Sequence, residues 1–165
     1  MSETYTPDST LYMPPAFAGQ LADLQFTSKE THPCGTNAVA FGCAVTPASD
    51  GKVQVGGAGT GGGIAIHDHT VAGIYNANEY RRYDAVSVLR RGRIWAKATG
   101  TCTKGGVAKF DATTGVFSDG GANTLKNARF RTAKISSANN LPGESAQELV
   151  LVELHDPAID DIGAS

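Results

Sequence analysis

Ala85-Val86-Ser87-Val88-Leu89-Arg90-Arg91-Gly92-Arg93-Ile94-Trp95-Ala96-Lys97-Ala98 is the stretch whose reading decides the fold. Val86 and Val88 alternate with Ala85 and Ser87, and Ile94-Trp95-Ala96-Lys97-Ala98 also has a strand's composition. A period of two is the mark of strands, because successive side chains leave opposite faces. The basic run Arg90-Arg91-Gly92-Arg93 lies between the two pieces, with a glycine able to take a bend. It predicts a tight connection, so the stretch reads as two strands of a hairpin.

Strand signals continue on either side. Val39-Ala40-Phe41-Gly42-Cys43-Ala44-Val45 alternates strictly, with Val39, Phe41, Cys43 and Val45 on one face and Ala40, Gly42 and Ala44 on the other. Lys52-Val53-Gln54-Val55 is a shorter alternating piece. Residues 63–69 read as a strand with Ile64 and Ile66 on one side. Val107-Ala108-Lys109-Phe110, then Asp111-Ala112-Thr113-Thr114-Gly115, then Val116-Phe117 predict a hairpin whose glycine supplies a positive φ. Residues 149–154 are apolar on both faces apart from Glu153, which predicts a central strand. Roughly seven or eight short strands of this kind point to an all-β fold, a β-sandwich or jelly-roll-like barrel.

Helix has little room, because Gly, Pro, Asn, Thr and Ser interrupt almost every window. In residues 15–24, Phe17, Leu21 and Leu24 stand at i, i+4, i+7 behind Pro15, with Gly19 between them. A short helical turn and an extended arm carrying apolar pegs fit equally. The expected organisation is an extended N-terminal arm over residues 1–33, a β-sandwich over 34–156 and a short acidic tail over 157–165. Residues 136–147 read as a polar loop.

Composition narrows the function. The 165 residues are 41% hydrophobic and 18% charged, with 20 glycines and 7 prolines. That charged fraction lies below the roughly 25% of an average soluble domain and describes a turn-rich chain. A net charge of −2 gives no global attraction to nucleic acid or to an anionic membrane. The N-terminus lacks the basic and apolar regions of a signal peptide. No apolar run reaches the ~18 residues of a membrane span. A soluble protein made in a cytoplasm is expected. Cys34, Cys43 and Cys102 are odd in number and lack Cys-x-x-Cys spacing, so they read as free thiols.

Motifs that would carry chemistry are incomplete. The glycine run at residues 56–63 is followed by Ile64-Ala65-Ile66, where a phosphate loop needs Lys-Ser/Thr and a helix. It reads as a flexible loop. Gly61, five residues and then His67-Asp68-His69 match the opening of a cupin metal motif, and on a strand both imidazoles would share a face. The glutamate such a site needs is replaced by Gly73 and Ile74, and His155 lacks the surrounding second motif. No metal or other cofactor is therefore expected, His67 and His69 being where a metal would sit. His32 lies two residues from Cys34, but adjacency alone does not make a nucleophile and base. Arg81, Arg82, Arg90, Arg91, Arg93 and Lys97 gather six of the fourteen basic residues. A solvated face is the plain reading of such a cluster, and an acidic protein surface comes next, since arginine suits paired carboxylates. Nucleic acid is not expected, since only Tyr80, Tyr83 and Trp95 offer rings for stacking.

In order, these segments resemble the phage structural cement protein family, often labelled Gp24-like. Pro14-Pro15-Ala16-Phe17-Ala18-Gly19-Gln20-Leu21-Ala22-Asp23 is similar to its proline-alanine arm, and Ala40-Phe41-Gly42-Cys43-Ala44-Val45 to its second element. Gly63-Ile64-Ala65-Ile66-His67-Asp68-His69-Thr70 follows. Val86-Ser87-Val88-Leu89-Arg90-Arg91-Gly92-Arg93-Ile94-Trp95 is the most specific piece. Phe110-Asp111-Ala112-Thr113-Thr114-Gly115 and Asn127-Ala128-Arg129-Phe130 complete the pattern. The resemblance implies a jelly-roll β-sandwich without enzymatic activity that decorates the outer capsid of a tailed phage. It implies contact with the major capsid protein and with itself, as a homodimer in preference to a homotrimer, in the virion after assembly in the host cytoplasm. The residues expected at the partner interface are Pro14, Pro15, Phe17, Leu21, Arg90, Arg91 and Arg93. A receptor- or glycan-binding virion sandwich and a cupin-like metalloprotein are the alternatives.

Overall fold

The computed structural model describes residues 17–23, 27–57, 62–75, 77–137, 147–155 and 159–161. In chain order the elements are β1 (Ser28–Pro33), β2 (Val39–Ala40), β3 (Ala44–Pro47), β4 (Val53–Val55) and β5 (Gly63–Ala65). Then come α1 (His69–Tyr75), β6 (Glu79–Tyr80), β7 (Ala85–Lys97), β8 (Val107–Phe110) and β9 (Asn123–Phe130). β10 (Ile135–Ser137), β11 (Gln147–His155) and β12 (Ile159–Asp161) complete the order. Strands make up 50% and helix 6%, so the fold is all-β, as the alternating segments predict.

Ten strands join in one sheet that curls into a half-barrel. Its main path runs β12-β9-β11-β7-β5-β3-β4, while β1 also pairs with β7, β10 with β11 and β8 with β9. β2 and β6 form a separate two-stranded ladder. β11 is central, flanked by β7 and β9, which its apolar run predicts. The hairpin at residues 107–117 also forms as predicted. Phe110 bridges Phe117, and Gly115 has φ +70°. Asp111 Oδ1 accepts from the Thr113 and Thr114 amides, each at 2.8 Å.

The hairpin read into residues 85–98 does not exist. β7 is one strand of 13 residues, paired with β1 along its first half and with β11 along its second. What looked like a turn is a bulge. Lys29 faces Leu89 and Ser28 faces Arg91, so Arg90 is the extra residue, and Gly92 takes φ +129°. The irregularity resets the alternation. Leu89 and Ile94 are an odd number of residues apart yet both bury in the same core cluster. A bulge is the usual device for re-aiming side chains within a strand.

Two clusters fill the two sides of the sheet. The larger packs Leu89, Ile94 and Ala96 against Phe110, Phe117, Phe130, Val150, Val152 and Leu154. The smaller gathers Val39, Phe41, Val45, Val53, Tyr80, Val86 and Val88. Val88 and Leu89 are adjacent and both buried, so β7 is covered on both faces there.

Four further expectations are corrected. The run at residues 39–45 is broken after Ala40, where the chain turns at Phe41 and at Gly42 with φ +78°. Ala44 therefore enters the larger cluster and Val45 the smaller. The strand expected at residues 63–69 ends at Ala65, and His69 opens α1. Asp68 caps that helix, its Oδ1 accepting from the Thr70 amide at 2.8 Å and the Val71 amide at 3.1 Å. Ser28–Pro33, placed with the arm, is the strand β1 and is largely exposed. Its pairing is a backbone matter that leaves no apolar alternation to read. Ile159–Asp161, placed in the tail, pairs with β9.

Candidate interaction surface

Residues 17–23 lie on the body of the protein. The Gly19 amide donates to the Trp95 carbonyl at 2.8 Å, the Trp95 amide to the Gln20 carbonyl at 2.9 Å, and the Ala22 amide to the Arg93 carbonyl at 2.9 Å. β11 occupies the opposite edge of this half of β7, so residues 19–22 add a short strand-like piece to the free one. The Gly19 carbonyl accepts from the His67 amide at 2.9 Å, and the Ala18 amide donates to Gln147 Oε1 at 2.9 Å. Gly19 has φ +82°, and a Cβ there would stand 2.5 Å from the His67 nitrogen. Only glycine fits without displacement.

Two expected anchors of the arm are thus engaged with this chain itself. Leu21 bridges Ile94 and packs on the larger core cluster. The Phe17 ring lies edge-on to His67 at 4.6 Å and to His69 at 5.7 Å. Pro14 and Pro15 lie outside the described residues.

His67 and His69 do come together, with ring centroids 4.4 Å apart. His69 belongs to α1 rather than to a strand, so the pair does not have the shared strand face that the cupin reading requires. His67 is enclosed by Phe17 and by Phe41, whose centroid is 4.7 Å away. Burial lowers its pKa to about 4, the nearby His69 charge adding to the shift and Asp68 opposing it. The ring is neutral at pH 7, with a buried Nδ1 that has no partner among the described residues. Among those residues no group of three or more His, Cys, Asp or Glu is placed to hold a metal.

The three expected arginines part company. Arg90 is mostly buried, donating to the Gly62 carbonyl and lying 3.9 Å from Glu30. Arg93 Nε is 2.9 Å from Glu153 Oε2, and its guanidinium is 3.6 Å from Asp23. Arg91 is exposed.

Arg91 and Arg93 also belong to a larger array. Cross-strand pairing sets Arg93 of β7 opposite Glu153 of β11, and Glu153 opposite Arg129 of β9. Arg91 stands opposite His155 in the next row. Arg131 Nε comes within 3.3 Å of Glu153 Oε2, and His155 Nε2 within 2.9 Å of Oε1. Two adjoining surface depressions share Glu153 and His155, one lined also by Asp23, Arg91, Gly92, Arg93 and Leu154 and the other by Asn127, Arg129 and Arg131, and together they form a groove across β7, β11 and β9. Glu153 is held ionised, its pKa lowered first by the His155 hydrogen bond and then by Arg93 and Arg131. Asn127 has φ +58°, a conformation asparagine tolerates better than most residues, and marks a kink in β9. Sequence reading missed Arg129, Arg131 and His155. The available signal was Glu153, the one charged residue in the apolar run of residues 149–154.

Fold and surface together define an all-β protein whose most organised exposed feature is a charged groove. The family model described as "Structural cement protein (E217 gp24/Pam3 gp6)" matches residues 6–155, and the chain belongs to this family. Membership makes it a structural protein of a phage virion, associated with the capsid. No curated protein matches the chain. Among the described residues no helix is long and apolar enough to cross a membrane.

Proposed function

We propose that this chain is a capsid cement protein of the outer head surface. It bridges neighbouring major capsid protein subunits, acts as a small homo-oligomer (a dimer in the first instance), and transforms no molecule. The family match over residues 6–155 carries this reading. Cementing is a linkage effect. A protein that binds the assembled shell but not its dispersed subunits stabilises the shell by its binding free energy. Repeated over many equivalent sites, modest contacts add up.

In this reading residues 17–22 fix the point from which the arm leaves the body. Phe17 and Leu21 serve as the anchor, and the preceding residues with Pro14 and Pro15 supply the reach. The test is to titrate the purified chain onto heads that lack it, reading occupancy by co-sedimentation and shell strength by resistance to heat. Saturable attachment that raises the temperature of shell disruption is expected, with reduced occupancy for a deletion of residues 1–16. The deletion stops short of Phe17 so that the hydrogen bonds of residues 18–22 are kept. Absence of attachment by the full chain would refute the reading.

A further inference from the structure

We propose that the groove across β7, β11 and β9 is a docking site for an acidic, carboxylate-bearing segment of the capsid shell. This rests on the capsid-binding reading above. Four of the chain's seven arginines meet on this one face, whereas the whole chain carries a net charge of −2. Among the described residues the groove's own acids, Glu153 and Asp23, balance two of the four. Both oxygens of Glu153 are taken up by this chain's donors, Arg93 and Arg131 at Oε2 and His155 at Oε1.

That internal compensation fixes Arg93 and Arg131 in place, which lowers the ordering cost that long side chains bring to an interface. Among the described residues Arg91 and Arg129 then flank the groove as surplus positive charge. Arg129 is held by the neutral Gly105 carbonyl at 3.1 Å, and Arg91 is exposed. Neighbouring strands lie ~4.8 Å apart and alternate residues ~6.8 Å apart along a strand. The cations therefore form a grid on which separated carboxylates can pair bidentately with guanidinium groups. Nucleic acid fits less well, because among the described residues the groove offers no Phe, Tyr or Trp ring for base stacking and its central carboxylate interrupts a basic track. With the chain net acidic, the attraction is local to this face and helps set orientation on the shell.

The test compares the full chain with Arg91→Glu, Arg129→Glu, the milder Arg91→Gln and an Arg82→Glu control on a different loop. Attachment to heads lacking the chain is measured across a salt series, with melting temperature as a check on folding. The expected result is a loss of about tenfold in affinity for each groove reversal at low salt. The affinities should converge at high salt, and Arg82→Glu should change little. Arg91→Gln should give a smaller loss in the same direction without altered melting. Wild-type attachment matched by both groove reversals, with equal salt dependence, would overturn the groove while leaving the cement reading intact. The groove is overturned equally if the reversals weaken binding to DNA but leave attachment to heads unchanged. Failure of the wild type to attach would instead remove the cement reading itself.

Discussion

Replacing Gly19 with alanine tests whether residues 17–22 are part of the folded body. Two costs arise at this position. An L-residue held at φ +82° costs roughly 1–2 kcal/mol. The new Cβ would also stand 2.5 Å from the His67 nitrogen and 3.1 Å from the Ala65 carbonyl oxygen. Backbone atoms cannot rotate away, so the chain shifts and the bond from the His67 amide to the Gly19 carbonyl is strained, at about 1 kcal/mol for its net loss. Together these give about 2–3 kcal/mol. Releasing the whole segment would forfeit five hydrogen bonds, each worth ~1 kcal/mol, and the contacts of Phe17 and Leu21 as well. Strain is therefore the cheaper response, and the segment stays attached but weakened.

A control separates the two costs. Gly51 has φ +80° and nothing within 4 Å of a built Cβ, so Gly51→Ala carries the conformational cost alone. At about 2–4 °C per kcal/mol for a chain of this size, Gly19→Ala should melt roughly 4–12 °C below wild type and Gly51→Ala by about half to two thirds as much. Trp95, the one tryptophan, packs on Ala18, so its emission should move to the red in the Gly19 variant and not in the control. Equal melting of the two variants with unchanged emission would show that residues 17–22 are not held as described.

Two other measurements probe the interior. His67 has a pKa lowered to about 4 from an ordinary value of 6.5, so the unfolded chain binds the proton more readily. Its contribution to stability is complete above pH 6.5 and is lost as pH falls toward 4. With solvent screening of a half-buried ring allowed for, wild type should lose on the order of 1 kcal/mol more than His67→Phe between pH 7 and pH 5. Parallel unfolding curves for the two proteins would contradict the burial of that ring. Cys43 and Cys102 are buried free thiols whose pKa values burial pushes up to about 11. Both should resist a thiol reagent at pH 8 until denaturant is added, and rapid labelling of the native protein would refute their enclosure.

The parts of the fold legible in the sequence are those in which side chains decide the structure. Residues 149–154 announce a central strand because apolar side chains stand on both faces and only Glu153 breaks the run. Asp111 to Gly115 announces a hairpin because the aspartate accepts from the next amides and the glycine supplies the positive φ. Where the backbone decides, the sequence is silent. β1 is exposed along nearly its whole length and holds its place through pairing with β7, so Lys29, Glu30 and Thr31 show no pattern. α1 has seven residues, with Gly73 among them and Ala72 its buried contact, and its one clear signal is the capping Asp68. The groove was hidden for a different reason. Arg91, Arg129 and Glu153 are far apart in the chain and meet only through strand register, which a sequence does not display.

The same distinction bears on the segment that most resembles the cement family. In Leu89-Arg90-Arg91-Gly92-Arg93-Ile94-Trp95 nearly every residue has an internal task. Leu89 and Ile94 fill the larger core, and Trp95 packs with Ala18 and Leu149. Arg90 ties Gly62 and Glu30 to β7, Gly92 holds a positive φ beside the bulge, and Arg93 pairs with Glu153 and Asp23. A motif of this kind records how the body is built, and recognising it identifies the fold more directly than it identifies the surface that meets the shell. Arg91 is the exception, exposed and set beside His155 at the margin of the groove. A bulge that turns one arginine inward toward Glu30 and leaves the next outward does two things at once. It keeps the alternation of the core on either side of Arg90, and it sets a guanidinium on the face of a paired strand, where a partner's carboxylate meets a position already fixed before binding.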